Sequence, residues 1–155
     1  MPFDFCLYRK IEMTRGFEIL EGYEDSGIIL PTRKTAFSAG YDLQAAENVL
    51  VSNKKISLVP TGLKAFMLPD EVLMIYIRSS LAVKYGVTLA NGVGVIDADY
   101  NGHIILPVVS FYGEFEIKKG MRIAQGVFQK YLPVDGDKIG VGAIRAGRFG
   151  STGEF

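Results

Sequence analysis

The chain has 155 residues, is 48% hydrophobic and is balanced in charge, with seventeen basic against seventeen acidic residues. That length favours one domain with a real core, and the balance argues against a general nucleic-acid or membrane-surface binder, which carries a basic excess. A single histidine and a single cysteine exclude an intramolecular disulfide and any zinc site built from several His and Cys ligands, leaving carboxylates, hydroxyls, tyrosines, backbone amides and arginines to do chemistry.

Residues 1–16, beginning "MPFDFCLYRK", lack the long apolar stretch of a signal peptide and read as an arm or an extra strand. No apolar run approaches a membrane span, and no N-x-[ST] acceptor occurs. The expectation is a cytoplasmic protein that binds neither membrane nor nucleic acid. From residue 17 onward, helical periodicity is scarce. Short β-branched and apolar runs recur at 17–20, 41–45, 48–52, 56–59, 62–67, 72–77, 104–111, 123–131 and 140–144. Gly, Pro, Asn and Asp separate them, as Pro60-Thr61-Gly62 does in "ISLVPTGLKAFM" and Gly113 in "FYGEFEIKKG". Many short strands with regular turn signals predict an all-β sandwich, barrel or jelly roll.

One segment departs from this pattern. In "RSSLAVKYGVTL", residues 78–89, Ser79 or Ser80 is placed to cap a short helix over Leu81 to Tyr85 that Gly86 ends. A helix start offers N–H groups and a positive dipole end that suit phosphate, and Arg78 stands at the same point. Next comes "GVIDADYNGH", residues 94–103. It spends two carboxylates, Asp97 and Asp99, and the ring of Tyr100 beside Asn101-Gly102, the strongest short hairpin signal. His103 follows. It is the base any Ser-His-Asp triad would need, and it reads as an ordinary surface side chain. The end of the chain, "RAGRFGSTGEF" (145–155), combines three glycines, two hydroxyls and two arginines around Phe149. It reads either as a frayed tail or as a flap that wraps an anion. No GxxxxGK[ST] loop, dinucleotide fingerprint or G-x-S-x-G elbow is present.

Five segments taken in order carry more than any one of them: "AGYDLQAAE" (39–47), "RSSLAVKYGV" (78–87), "NGVGVIDADYNG" (91–102), "GMRIAQGVF" (120–128) and "RFGSTG" (148–153). Together they resemble the five motifs of the trimeric deoxyuridine triphosphatase (dUTPase) family, from Ala39 to Gly153. The resemblance implies an all-β, jelly-roll-like barrel with one short helix over residues 17–144, assembled as a homotrimer, with 145–155 closing as a flexible flap. It implies hydrolysis of dUTP to dUMP and pyrophosphate at sites shared between subunits, with Mg²⁺ on the triphosphate. Asp97 matches the acid that activates the attacking water, a task a carboxylate performs by taking its proton. Asn91, with Gly94 and Ile96, matches the hairpin that reads uracil, and Tyr100 the ring that packs on deoxyribose and leaves no room for a 2′-hydroxyl. Phe149 would cover the base. Arg78, Ser79, Ser80 and Gln125 match phosphate-binding positions, as do Ser151 and Thr152. The flap departs from the family pattern: Arg148 stands where a second glycine is usual, leaving Arg145 or Arg148 as the distal-phosphate arginine. Asp42 matches the acid of the first motif, in structural or metal-water support, and Asp99 a structural partner of the hairpin. Two other readings use the same scaffold: a dCTP deaminase, alone or bifunctional, and a trimeric nucleotide-sensing or protein-binding module.

Overall fold

The computed structural model describes residues 13–143. Eleven strands and one helix follow in order: β1 Gly16–Ile19, β2 Tyr41–Gln44, β3 Val49–Val51, β4 Ser57–Pro60, β5 Leu63–Phe66, β6 Glu71–Ile77, α1 Ser79–Tyr85, β7 Val87–Leu89, β8 Gly94–Asp97, β9 Ile105–Ser110, β10 Phe115–Ile117 and β11 Arg122–Lys130. The strands pair antiparallel throughout. A four-stranded sheet runs β2-β11-β6-β8 and a three-stranded sheet β4-β9-β7, with the two-stranded pairs β1-β5 and β3-β10 beside them. This is the jelly-roll-like, all-β architecture expected, with one short helix among the described residues.

Alternation along the strands explains why they hold together. On β9 every second residue (Leu106, Val108, Ser110) is buried, and on β4 Ser57 and Val59 are buried while Leu58 faces solvent. Period-two burial puts one face of each sheet into a shared interior. That interior is Leu43 from β2, Val59 from β4, Leu73 and Ile75 from β6, Val87 from β7, Val108 from β9 and Ile123 from β11, all almost fully enclosed. Burying one such side chain contributes about 1.5–3 kcal/mol.

Several expectations need correction. Residues 140–143 form a turn rather than a strand, with Gly140 and Gly142 at φ 81° and 129°. β7 and β10 are strands too short, at three residues each, to stand out as apolar runs. Gly86 ends α1 as expected, in the left-handed conformation (φ 63°), but the helix begins earlier, at Ser79, and its N-cap is Arg78 with no side-chain capping bond. The serines occupy the first turn itself. The Asn101-Gly102 hairpin does not form either. β8 pairs with β6 and β7 with β9, so the chain after Asp97 crosses from one sheet to the other instead of doubling back. Gly102 does not adopt positive φ. Its small size serves a different end, because a Cβ there would sit 2.7 Å from the Tyr100 ring.

Candidate functional site

The outer face of the four-stranded sheet gathers the polar residues of three motifs, and a β-bulge is the device that does so. Across antiparallel strands, directly opposed residues share a face, and so do residues two apart on one strand. Gln125 lies opposite both Asp42 on β2 and Tyr76 on β6. Arg122 lies opposite Gln44, two residues from Asp42. Arg122 and Gln125 are three apart and in a regular strand would point to opposite faces. The register shifts between Arg122 and Ala124, so one extra residue restores the phase. Ile123, in the bulge, goes to the core. Arg78, extended at φ −72° and ψ 134°, falls two residues beyond Tyr76 and joins the same face.

The electrostatics of this face centre on Asp42. Its Oδ2 accepts a hydrogen bond from Arg122 Nη1 at 3.0 Å, and its Oδ1 lies 3.7 Å from Arg78 Nε. Arg78 is also held through the bulge: its N–H donates to the Ile123 carbonyl at 3.0 Å and its Nη1 to the Arg122 carbonyl at 3.3 Å. Gly40, from the first motif, is a clearance residue for Gln125, since a Cβ there would stand 2.5 Å from Gln125 Oε1. Ser79 and Ser80 are exposed beside Arg78 at the start of α1. The result is a basic and amide-rich patch with one acid, chemistry suited to an anion with several oxygens.

The third motif runs along β8, the edge strand of the same sheet. On β8, Gly94 and Ile96 oppose Ile75 and Leu73 and turn towards the core, so Ile96 offers a ligand its backbone rather than its side chain. Asp97 opposes Val72, at the start of β6. Arg78 follows the end of that strand, six residues on, or about 20 Å at 3.3 Å per residue. Asn91 is exposed in the turn after β7, where Gly92 takes φ 75°. Tyr100 is buried, and its hydroxyl donates to the His103 carbonyl at 2.9 Å. His103 is no surface side chain: it is buried, its Nε2 accepts the Gly62 N–H at 2.8 Å, and its ring meets Tyr23 at 5.1 Å. Asp97 and Asp99 are both half-buried.

The structure thus brings Asp42, Arg78 and Gln125 together, with Ser79 and Ser80 beside Arg78, and puts Asp97 at the far end of β6 from them, while the β8 register runs from Asp97 through Ile96 to Gly94 towards the Arg78 end. Arg145, Arg148, Phe149, Ser151 and Thr152, the expected flap residues, lie outside the described residues. Two participants escaped the sequence reading, Gly40 and Arg122. Both stood inside the quoted motifs, but only the register reveals what they touch. Among the described residues, no three His, Cys, Asp or Glu side chains gather to hold a metal ion, and no helix is long and apolar enough to cross a membrane.

Comparison with known proteins identifies the family. The dUTPase family model matches residues 26–152. A deoxyuridine 5′-triphosphate nucleotidohydrolase of Lactococcus lactis subsp. lactis is 47% identical over 146 residues, covering 90% of this chain and 97% of its own. The enzyme of the same name from Bartonella henselae is 41% identical, over 82% and 77% of the two chains. Among solved structures, the dUTPase of Streptococcus mutans superposes with a TM-score of 0.71 at 44% identity, covering 78% of this chain and 99% of that one. At 19% identity the dUTPase of Staphylococcus bacteriophage 80alpha still shares the fold, with a TM-score of 0.69 over 82% and 96% of the chains. With its motifs in order and its jelly-roll sheets in place, the chain belongs to the dUTPase family.

Proposed function

We propose that this protein hydrolyses dUTP to dUMP and pyrophosphate as a homotrimer. The observation that carries the reaction is family membership across residues 26–152. In this reading water attacks the triphosphate, Asp97 takes the proton of that water, and pyrophosphate departs. Arg78, Ser79, Ser80 and Gln125 hold phosphate oxygens. Asn91 and the backbone near Gly94 and Ile96 pair with the edge of uracil, and Tyr100 sets the limit on the sugar. Phe149, Ser151, Thr152 and either Arg145 or Arg148 close over the substrate.

The spacing on β6 supports sites shared between copies. Asp97 and Arg78 are about 20 Å apart along one strand, too far for one triphosphate to meet both in a single chain. A site that uses both takes them from different copies, and three-fold assembly supplies three such sites. Mg²⁺ fits this arrangement as part of the substrate. Asp42, the acid of the cluster, is already engaged by two guanidiniums. The remaining donors for a hard cation are phosphate oxygens and water, the usual shell of Mg²⁺ in such sites. When bound, the ion neutralises charge on the phosphates.

The test is pyrophosphate and ammonia release from dUTP, dCTP, dTTP and UTP, each with Mg²⁺, together with the mass of the protein in solution. The expected result is pyrophosphate from dUTP alone and a mass of three chains. Ammonia from dCTP, or no turnover of dUTP, overturns the reading.

A further inference from the structure

We propose that Arg122 is a positioning residue of the phosphate site: through Asp42 it sets how much of the Arg78 charge reaches the substrate. This inference rests on the dUTP reading above. Asp42, Arg78 and Arg122 share one face of the sheet, and their formal charges sum to +1. An acid beside Arg78 alone would cancel it, and the pair would present no net charge to an anion. Arg122 prevents this by taking the better geometry, 3.0 Å to Asp42 Oδ2, while Arg78 Nε keeps 3.7 Å to Oδ1. The longer distance is an ion pair without a hydrogen bond. Asp42 therefore directs the Arg78 guanidinium without consuming its donors.

The bulge is the independent sign that Arg122 is placed for this task. Without the register shift between Arg122 and Ala124, Arg122 would face the core, away from Asp42 and Gln125. The same bulge supplies both carbonyls that hold Arg78, those of Arg122 and Ile123. Arg122 and Asp42 together border a recess of roughly 220 Å³ lined also by Ile29, Leu30, Thr32, Lys34 and Gln44. A shorter polar side chain at 122 therefore leaves the core untouched.

Charge arithmetic makes this testable with Arg122→Gln, Asp42→Asn, the double variant and Arg122→Lys in the full-length protein. The readouts are KM and kcat for dUTP with Mg²⁺, and binding of inorganic pyrophosphate by calorimetry, which needs no turnover. Arg122→Gln drops the trio to zero charge and should weaken both KM and pyrophosphate binding about tenfold, the order expected when an anion site forfeits one charge-assisted hydrogen bond. The double variant returns the trio to +1 and should recover most of that loss, although it replaces two charged side chains by neutral amides. Arg122→Lys should lose less than Arg122→Gln. Arg122→Gln values within twofold of the parent overturn the proposal, as does a double variant no better than Arg122→Gln. Failure of Arg122→Gln to fold beside a folded Arg122→Lys overturns it too, in favour of a purely structural role. Absence of dUTP turnover in the parent protein would instead sink the functional reading, and the pyrophosphate binding series would still decide the charge relation.

Discussion

Gly40→Ala is the sharpest test of how the first and fourth motifs fit together. Gly40 does not adopt positive φ, so alanine meets no backbone strain there. Two effects then oppose each other. A stiffer unfolded chain favours the variant by about 0.4–1 kcal/mol. Against it, the new Cβ would lie 2.5 Å from Gln125 Oε1, 2.9 Å from Gln125 Cβ and 3.2 Å from Gln125 Cδ. The amide oxygen ends a flexible side chain and can swing away. The Cβ is fixed to β11 and cannot move without the strand. Overpacking of this kind costs about 1–3 kcal/mol, so the clash wins. At about 2–4 °C per kcal/mol for a chain of this size, the loss is visible in a thermal melt. Melts should be run at one protein concentration, because assembly makes the midpoint concentration-dependent. The displaced amide should also raise KM for dUTP. In a Gln125→Gly background the contacts to Oε1, Cβ and Cδ are all gone. Gly40→Ala should then cost clearly less. Equal costs in both backgrounds, within the ~0.5 kcal/mol expected of independent sites, would refute the idea that Gly40 exists to clear Gln125.

Four further outcomes are expected. Asp97→Asn should lower kcat by ~10²–10⁴ while dUTP still binds, and Asp99→Asn should not; the reverse pattern would exchange their roles. Tyr100→Phe removes a buried donor to the His103 carbonyl and should cost roughly 1 kcal/mol of stability, while Tyr100→Ala should raise the UTP-to-dUTP ratio of kcat/KM, and an unchanged ratio would place sugar selection elsewhere. Glu71 is held below its ordinary value of 4.5 chiefly by the Arg15 hydrogen bond, and Asp70 below 3.8 chiefly by that from Lys130; their contribution is therefore complete above the ordinary carboxylate range and lost as pH falls through the lowered values, so Arg15→Gln should flatten the fall in melting temperature between neutral and acid pH. Deleting residues 145–155 should abolish most dUTP turnover yet weaken dUMP binding less, which parallel kinetics and calorimetry would decide.

How far the fold could be read ahead depended on whether a residue's task was local. Period-two burial is local, and so β4, β6, β9 and β11 stood out as apolar runs. Gly86 was legible because a left-handed helix end is a demand of the backbone itself. Asn101-Gly102 carried an equally clear local signal, and it misled. There glycine is required by the Tyr100 ring lying against it, a tertiary demand that looks the same in sequence as a turn. His103 failed for the same reason, since the partners that bury it, Gly62 and Tyr23, lie far off in the chain. The site followed the same rule. The motifs named Asp42, Arg78, Gln125 and Asp97 individually, but their grouping is set by register. A one-residue bulge decides that Arg122 and Gln125 share a face, and no residue type marks it. Likewise Asp97 and Arg78 belong to neighbouring motifs in the sequence. Yet β8 runs antiparallel to β6 and pairs Asp97 with Val72, so the turn of chain between the two motifs carries the acid to the far end of the strand that ends at the arginine. That reversal separates the two groups along β6 within one chain, which is the spacing that the proposed sharing of sites between copies rests on.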